Sequence, residues 1–328
     1  MSRVLITGVA GFIGSNLAEA LLAAGHSVLG LDNLSQGQPR NMARCRTHAA
    51  FSFHEGDIRD PAIVDRLVGD VDTVYHLAAF KIPRYSSALN TLRINAHGTR
   101  TVLDAAARHG VHAIIASTSD CYGRNPAVPF HEQSDMWMGA SSVKRWAYAV
   151  SKMYDEHLCY ALLDQAKLRF TAIRFFGGYG PHQNLTWWGG PQSVFITAAL
   201  RDQELELHGD GQQTRSFTFI GDHVNGLVRC LNNEKAVGQA FNLGNTREIT
   251  IEGLARMIWS MAGRGEPKIK RISYRTFGKY EDVMRRVPDI SKARELLGFE
   301  PRTHLEQGLP ITIEWQRKVM AEEAGGAA

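Results

Sequence analysis

Residues suited to proton transfer fall close together in the middle of the chain. Tyr148 and Lys152 lie four apart in Tyr148-Ala-Val-Ser-Lys152. On a helix that spacing shares one face, so an ammonium beside a phenol would favour the phenolate and make it a base near neutral pH. Upstream, Ser117-Thr118-Ser119-Asp120 closes an apolar, β-rich run, and strand ends of this kind feed loops that carry chemistry. Thr118 can hydrogen-bond a hydroxyl undergoing oxidation, and Ser119 stands beside it. Asp120 precedes Tyr122 by two residues and suits either a base or a proton manager, or else a turn cap.

A second constellation opens the chain. Gly8, Gly11 and Gly14 are spaced three apart between an apolar strand and a helical stretch. Glycines there permit a tight turn and let a pyrophosphate approach the amides of a helix N-terminus. Asp32 ends the next strand, where its carboxylate can take both adenosine ribose hydroxyls and repel a 2′-phosphate. Asp57 comes after Gly56 at the close of a third strand, within reach of an adenine. No arginine directly succeeds Asp32. The expected cofactor is NAD rather than NADP.

The elements that must position these groups alternate. Strands are expected over Val4 to Thr7, Ser27 to Leu31, Phe51 to Phe53, Thr73 to Leu77, Ala113 to Ser117 and Arg169 to Arg174. Helices are expected over Ser15 to Ala24, Pro61 to Val68, Leu92 to Arg108 and Tyr148 to Gln165. Such alternation predicts an α/β fold with a parallel sheet covered on both faces and ligands at the carboxyl ends of its strands. Residues 1–175 read as this sheet domain. Residues 176–320 read mainly as a second lobe, with some segments returning to the first. Gly177 to Pro191 reads as one long loop, Thr250 to Met261 and Ile290 to Leu297 as helices, and residues 321–328 as a disordered tail.

Composition narrows the function classes. A net charge of +4 over 328 residues suits a small anionic ligand and is too diffuse for nucleic acid. The cluster Lys268, Lys270, Arg271 reads as a solvated face. Cys45, Cys121, Cys159 and Cys230 form no CxxC pair and read as reduced thiols of a cytoplasmic protein. The 13 histidines show no ligand spacing, so no metal is expected. No apolar run reaches membrane-spanning length, no signal peptide is read at the N-terminus, and no membrane partner is expected.

Taken together, these motifs carry a plain resemblance. TGVAGFIGSN, Asp32-Asn33-Leu34, Gly56-Asp57-Ile58, His76-Leu77-Ala78-Ala79, Asn95 in INAHGT, STSDCYG and YAVSK together resemble the extended short-chain dehydrogenase/reductases, the NAD-dependent epimerase/dehydratase family. RFFGGYGP, HGDGQQTRSF and PDISKARELLGFEP extend the likeness over nearly the whole chain. The resemblance implies a Rossmann-type, doubly wound parallel sheet with a smaller C-terminal substrate-binding lobe, usually as a homodimer. It implies a Thr118, Tyr148, Lys152 triad acting on a nucleotide-linked sugar. Phe12, Ile13, Asn33, Ile58, Leu77, Ala78, Ala79, Lys81 and Asn95 join the glycines and acids as cofactor contacts. Arg215 is placed on the nucleotide diphosphate, which suits a bidentate guanidinium.

Within the family the reaction is set by the step after oxidation at C4. Asp120 holds the position of a carboxylate used by dehydratases and hexuronate decarboxylases. Lys144-Arg145-Trp146-Ala147-Tyr148 and the segment Tyr280-Glu281-Asp282-Val283 with Arg286 and Pro288 resemble UDP-glucuronate decarboxylases. That reaction leads, ahead of a UDP-sugar 4-epimerase, a 4,6-dehydratase and a non-catalytic NAD-binding scaffold. Three departures stand against it. Gly177 replaces the family's usual Asn, a candidate substrate contact. Asp120 is shorter than the decarboxylases' usual Glu. Trp187 and Trp188 lie in a loop with no assigned counterpart, able to stack on a ligand or to pack the lobe. Trp146 and Cys121 read as core.

Overall fold

A computed structural model describes residues 1–81, 86–277 and 281–325. The chain opens with β1 (Arg3–Thr7), α1 (Phe12–Ala23), β2 (Ser27–Asp32), α2 (Ala43–Arg46), β3 (Phe51–Glu55), α3 (Pro61–Val68) and β4 (Thr73–His76). It continues through α4 (Ala88–His109), β5 (His112–Thr118), α5 (Trp146–Ala166) and β6 (Phe170–Phe175). Local chemistry sets several boundaries. The Asp60 carboxylate caps α3 with Pro61 at its first position, and Gly110 ends α4 in the left-handed region at φ 67°.

Seven parallel strands form the main sheet, in the order β11-β6-β5-β4-β1-β2-β3, with β11 (Gln239–Leu243) supplied by the second half of the chain. Every residue of β4 is buried, and all of β5 except Ala116, as a sheet covered on both faces requires. One core packs α1, α7 (Ile220–Val228) and α9 (Ser291–Leu297) on one face, and the other packs α3, α4 and α5 on the opposite face. Strand order reverses between β1 and β4, and the crevice outside their carboxyl ends is where such sheets bind ligands.

A separate core forms the second lobe from α6 (Pro191–Arg201), α8 (Ile251–Met261) and α10 (Leu305–Gly325). Its small sheets pair β7 (Gly178–Tyr179) with β10 (Thr218–Phe219), β8 (Leu205–His208) with β13 (Ile269–Ile272), and a central β9 (Thr214–Ser216) with β12 (Glu248–Thr250) on one side and β14 (Arg285–Arg286) on the other. The alternating strands and helices lie within a few residues of their expected bounds. Two expectations need correction. The long loop from Gly177 contains β7 before α6 begins at Pro191. The tail expected to be disordered from residue 321 continues α10 to Gly325; residues 326–328 lie outside those described.

Candidate active site

Two cavities meet along the crevice, one of about 550 Å³ and one of about 170 Å³. Gly8, Gly11, Phe12, Leu77, Ala79 and Trp188 line both.

The smaller end is built of backbone. Gly8 turns at φ +75°, and a Cβ there would lie 2.8 Å from the Ala78 amide nitrogen. A Cβ on Gly14 would come within 2.2 Å of the Gly8 carbonyl. Side chains are therefore excluded where β1, β4 and α1 converge, and α1 begins at Gly11 with no side-chain cap. Its first amides are left for an anion, which is the fit a dinucleotide pyrophosphate needs. Asp32 lines this cavity with Asn33 and Ile58. Its carboxylate accepts from the Ala10 amide at 3.0 Å and the Leu34 amide at 2.8 Å. Burial raises its pKa, and those two amides oppose the rise. Phe12, Ile13, Leu77, Ala79 and Lys81 line the larger cavity, and Ala78 the smaller.

Two expected cofactor contacts are turned elsewhere. Asp57 is gripped by Arg59 at 2.7 and 2.8 Å and receives the Asn33 amide at 3.1 Å. Chiefly through the Arg59 bonds, its pKa falls to about 2. Asn95 is wholly buried, bonded to both backbone groups of Phe80 and to the Ser151 hydroxyl at 3.0 Å. It holds the strand-end loop that carries Ala79 and Lys81, a support invisible to motif reading.

The larger end is built of side chains. Thr118, Ser119, Asp120 and Tyr148 face it together from the end of β5 and the start of α5. Thr118 Oγ1 accepts from the Asp120 amide at 3.2 Å and lies near enough to the Tyr148 phenol to oppose the rise of its pKa. Lys152 departs from expectation. Its ammonium donates to Asp155 at 3.0 Å with both side chains buried, and it lines neither cavity. The Tyr148 pKa is correspondingly raised, not lowered, first by burial and then by Asp120, Cys121 and Asp155.

Beyond Tyr148 stands a charge cluster drawn from distant segments. β9 and β14 run parallel with Arg215 and Arg286 as register partners. Like charges in that position repel, so acids must offset them. Asp120 pairs with Arg286 at 2.7 Å and Arg145 at 3.5 Å, while Asp282 pairs with Arg215 at 2.9 Å and Arg145 at 3.0 Å. Burial alone would raise the Asp120 pKa, but Arg286, Arg145 and Arg215 outweigh it and hold the carboxyl below its ordinary value. Asp282 is likewise depressed against burial by Arg215 and Arg145. Among the described lining residues, four cations (Lys81, Arg145, Arg215, Arg286) face two carboxylates (Asp120, Asp282). That surplus suits an anion.

Gly177 has a steric reason: a Cβ there would lie 2.3 Å from the Ser216 carbonyl, leaving no room for an Asn. Trp187 stacks on His208 with ring centroids 4.4 Å apart, and Trp188 meets Phe80 edge-on at 5.3 Å. The first thus packs within the lobe, and the second reaches across the crevice. Trp146 and Cys121 are buried. Tyr280 lies outside the described residues. Sequence reasoning missed Gln183, Gln192, Gln213, Tyr274 and His223 among the lining groups. Only Gln213, inside HGDGQQTRSF, carried a signal.

Comparison with known proteins fixes the family. The GDP-mannose 4,6 dehydratase family matches residues 5–312. This chain belongs to it. UDP-glucuronic acid decarboxylase 1 of Xenopus tropicalis is 37% identical over 98% of this chain and 74% of its own length. UDP-N-acetyl-alpha-D-glucosaminuronate decarboxylase of Bacillus cytotoxicus is 35% identical over 97% of this chain and 98% of its own. Among solved structures, UDP-glucuronic acid 4-epimerase from Bacillus cereus, in complex with UDP-glucuronic acid and NAD, superposes with a TM-score of 0.87 at 28% identity. That match covers 97% of this chain and 99% of the epimerase. A member of this NAD-dependent epimerase/dehydratase family, the chain has among its described residues no helix long and apolar enough to cross a membrane.

Proposed function

We propose that this chain oxidises C4 of a UDP-linked hexuronate and then removes its carboxyl group as carbon dioxide. The observation that carries the reading is the Arg286–Asp120 pair standing in one cavity with Thr118 and Tyr148. A 4-epimerase returns hydride to the ketone and needs no further acid or base. A decarboxylase must hold a carboxylate beside the oxidised carbon and manage a proton once carbon dioxide leaves. The likeness of nearly the whole chain to two uronate decarboxylases supports the same choice.

Gly8, Gly11, the first-turn amides of α1, Asp32, Ile58 and Leu77–Ala79 would hold NAD, with Lys81 near its reactive end. Bound NAD supplies the hydride acceptor for the oxidation and the donor for the final reduction. Thr118 holds the C4 hydroxyl, and Tyr148 takes its proton. The C4 ketone makes the substrate a β-keto acid, so the electrons of the breaking carbon–carbon bond can enter the carbonyl. Arg286 and Arg145 hold the carboxylate beside the ketone, and Thr118 with the now protonated Tyr148 hydrogen-bonds the C4 oxygen, where charge develops as carbon dioxide leaves. Asp120, held ionised by its arginines, orients Arg286, and a water molecule supplies the proton that replaces the carboxyl group at C5. Arg215 grips the diphosphate, with Ser119 and the Gly177 turn completing the sugar's surroundings.

A homodimer through α4 and α5 belongs to the same proposal. These two helices pack side by side and leave Leu89, Leu92, Val150 and Tyr154 exposed at 54, 39, 43 and 43%. Four free, buried cysteines suit a reducing cytoplasm.

The test is incubation of purified protein and NAD with UDP-glucuronate, UDP-glucose and UDP-N-acetylglucosamine separately, with products read by mass spectrometry. Loss of carbon dioxide from the glucuronate alone supports the decarboxylase. An isomer of unchanged mass replaces it with a 4-epimerase, and loss of water replaces it with a dehydratase. No product from any of the donors, with NAD bound alike by the wild type and Tyr148→Phe, would favour a scaffold.

A further inference from the structure

Lys152 is buried beside a carboxylate that the proposed chemistry does not use. Its ammonium lies 3.0 Å from Asp155 Oδ2, with side-chain exposures of 1% and 0%. The two residues are three apart on α5, so one helical turn closes the pair. Isolating two charges from water costs more than their attraction returns unless further polar groups support them. The support here is thin on one side. The Thr99 hydroxyl, on α4, interacts with the Asp155 carboxyl, yet buried Asp155 Oδ1 completes no hydrogen bond of good geometry. Thr99 also meets His76 Nε2 at 3.1 Å, and His76 Nδ1 meets the Thr7 hydroxyl at 2.8 Å. A buried polar column therefore runs from Lys152 through α4 and β4 to β1. A stability role alone does not explain it, since an apolar pair of similar volume would pack this interior as well or better.

The column's charges bear on Tyr148, which opens the same helix seven residues before Asp155. Burial and Lys152 push the His76 pKa down to about 3, so His76 is neutral and adds no charge. Glu156, also on α5, is taken by Arg174 of β6 at 2.6 Å. Cys159 is held as the neutral thiol, its pKa raised by burial. From the turn after β5, Asp120 and Cys121 face the phenol. Arg145, Arg215 and Arg286 share the cavity with Tyr148 but pair with Asp120 and Asp282, whereas Lys152, on the phenol's own helix, is held by Asp155.

We propose that Asp155 is a positioning residue that keeps Tyr148 protonated in the unliganded enzyme, by holding the Lys152 ammonium on itself and offsetting its charge. It rests on the reading of Tyr148 as the base. When cofactor and substrate hydroxyls draw the ammonium off the carboxylate, the phenol loses its proton to solvent and becomes the base. Activation is thereby tied to a filled crevice, and no proton leaves Tyr148 in an empty one.

The test titrates Tyr148 directly, from the phenolate absorbance of the protein without added ligand minus that of Tyr148→Phe. Wild-type Tyr148 should titrate above the ordinary value of about 10, and Asp155→Asn should lower it by about one pH unit, given a charge roughly 10 Å away along the helix. The acid limb of the kcat/KM profile should move the same way, and Asp155→Glu should track the wild type. A wild-type Tyr148 titrating at or below the ordinary value overturns the proposal, and this result needs no folded variant at position 155. An Asp155→Asn protein that melts earlier but leaves titration and profile in place overturns it too, reducing Asp155 to a structural role. Failure of Tyr148→Phe to abolish turnover would instead sink the base assignment.

Discussion

The two ends of the crevice are built by opposite rules. The dinucleotide end is made of backbone from short contiguous stretches, and its key property is the absence of side chains at Gly8 and Gly14. The sugar end is made of long side chains from β5, α5, β9 and β14 and the loop at Asp282, held apart and together by four ion pairs. A backbone site fails sterically, when something is added. A charge-network site fails electrostatically, when a partner is removed. In the proposed function the first would hold the cofactor and the second the sugar.

That contrast can be broken at its strong end first. Arg286→Gln should lower carbon dioxide release by a factor of roughly 100 to 1,000, the usual cost of losing a preorganised charge partner. Affinity for NAD, read by fluorescence titration, should stay unchanged. An equal loss of both would mean that the two ends are not independent. Gly14→Ala should do the reverse. Its Cβ would meet the Gly8 carbonyl at 2.2 Å, so the turn must shift, costing about 1–3 kcal/mol of stability and weakening NAD binding. Thermal denaturation with and without NAD reads both, and a wild-type melting curve would remove the steric argument. Arg215→Lys keeps the charge but loses the bidentate fork. KM for the nucleotide sugar should rise about tenfold with little change in kcat, as the loss of uniform binding requires. Arg3→Ala marks the floor. Its pair with Asp70 is about half exposed on both sides, and breaking it should cost under about 1 kcal/mol.

Motif spacing read the backbone end well because its requirements are local. A glycine triplet, a strand-end acid and the Leu77–Ala79 turn each act within a few residues, and the fold places them where spacing predicts. Asp57 and Asn95 show the limit. Both sit in their motifs, but Arg59 takes the first and Phe80 with Ser151 the second. At the sugar end, Asp120, Arg215 and Arg286 were legible one at a time as residues of suggestive type. Their mutual arrangement was not, because it depends on the β9–β14 register and on a loop that carries Asp282.

What the sequence by itself determined is the alternating α/β plan and the glycine turn between β1 and α1, and it singled out Thr118 and Tyr148, which the fold brings to one cavity. Each arises from interactions between residues close in the chain. The tertiary structure alone decided three further things. It set Arg286 against Asp120, two groups 166 positions apart. It closed Gly177 against the Ser216 carbonyl. And it gave Lys152 to Asp155 rather than to Tyr148. Helical spacing permitted either partner for that ammonium, and burial between α4 and β4 selected one.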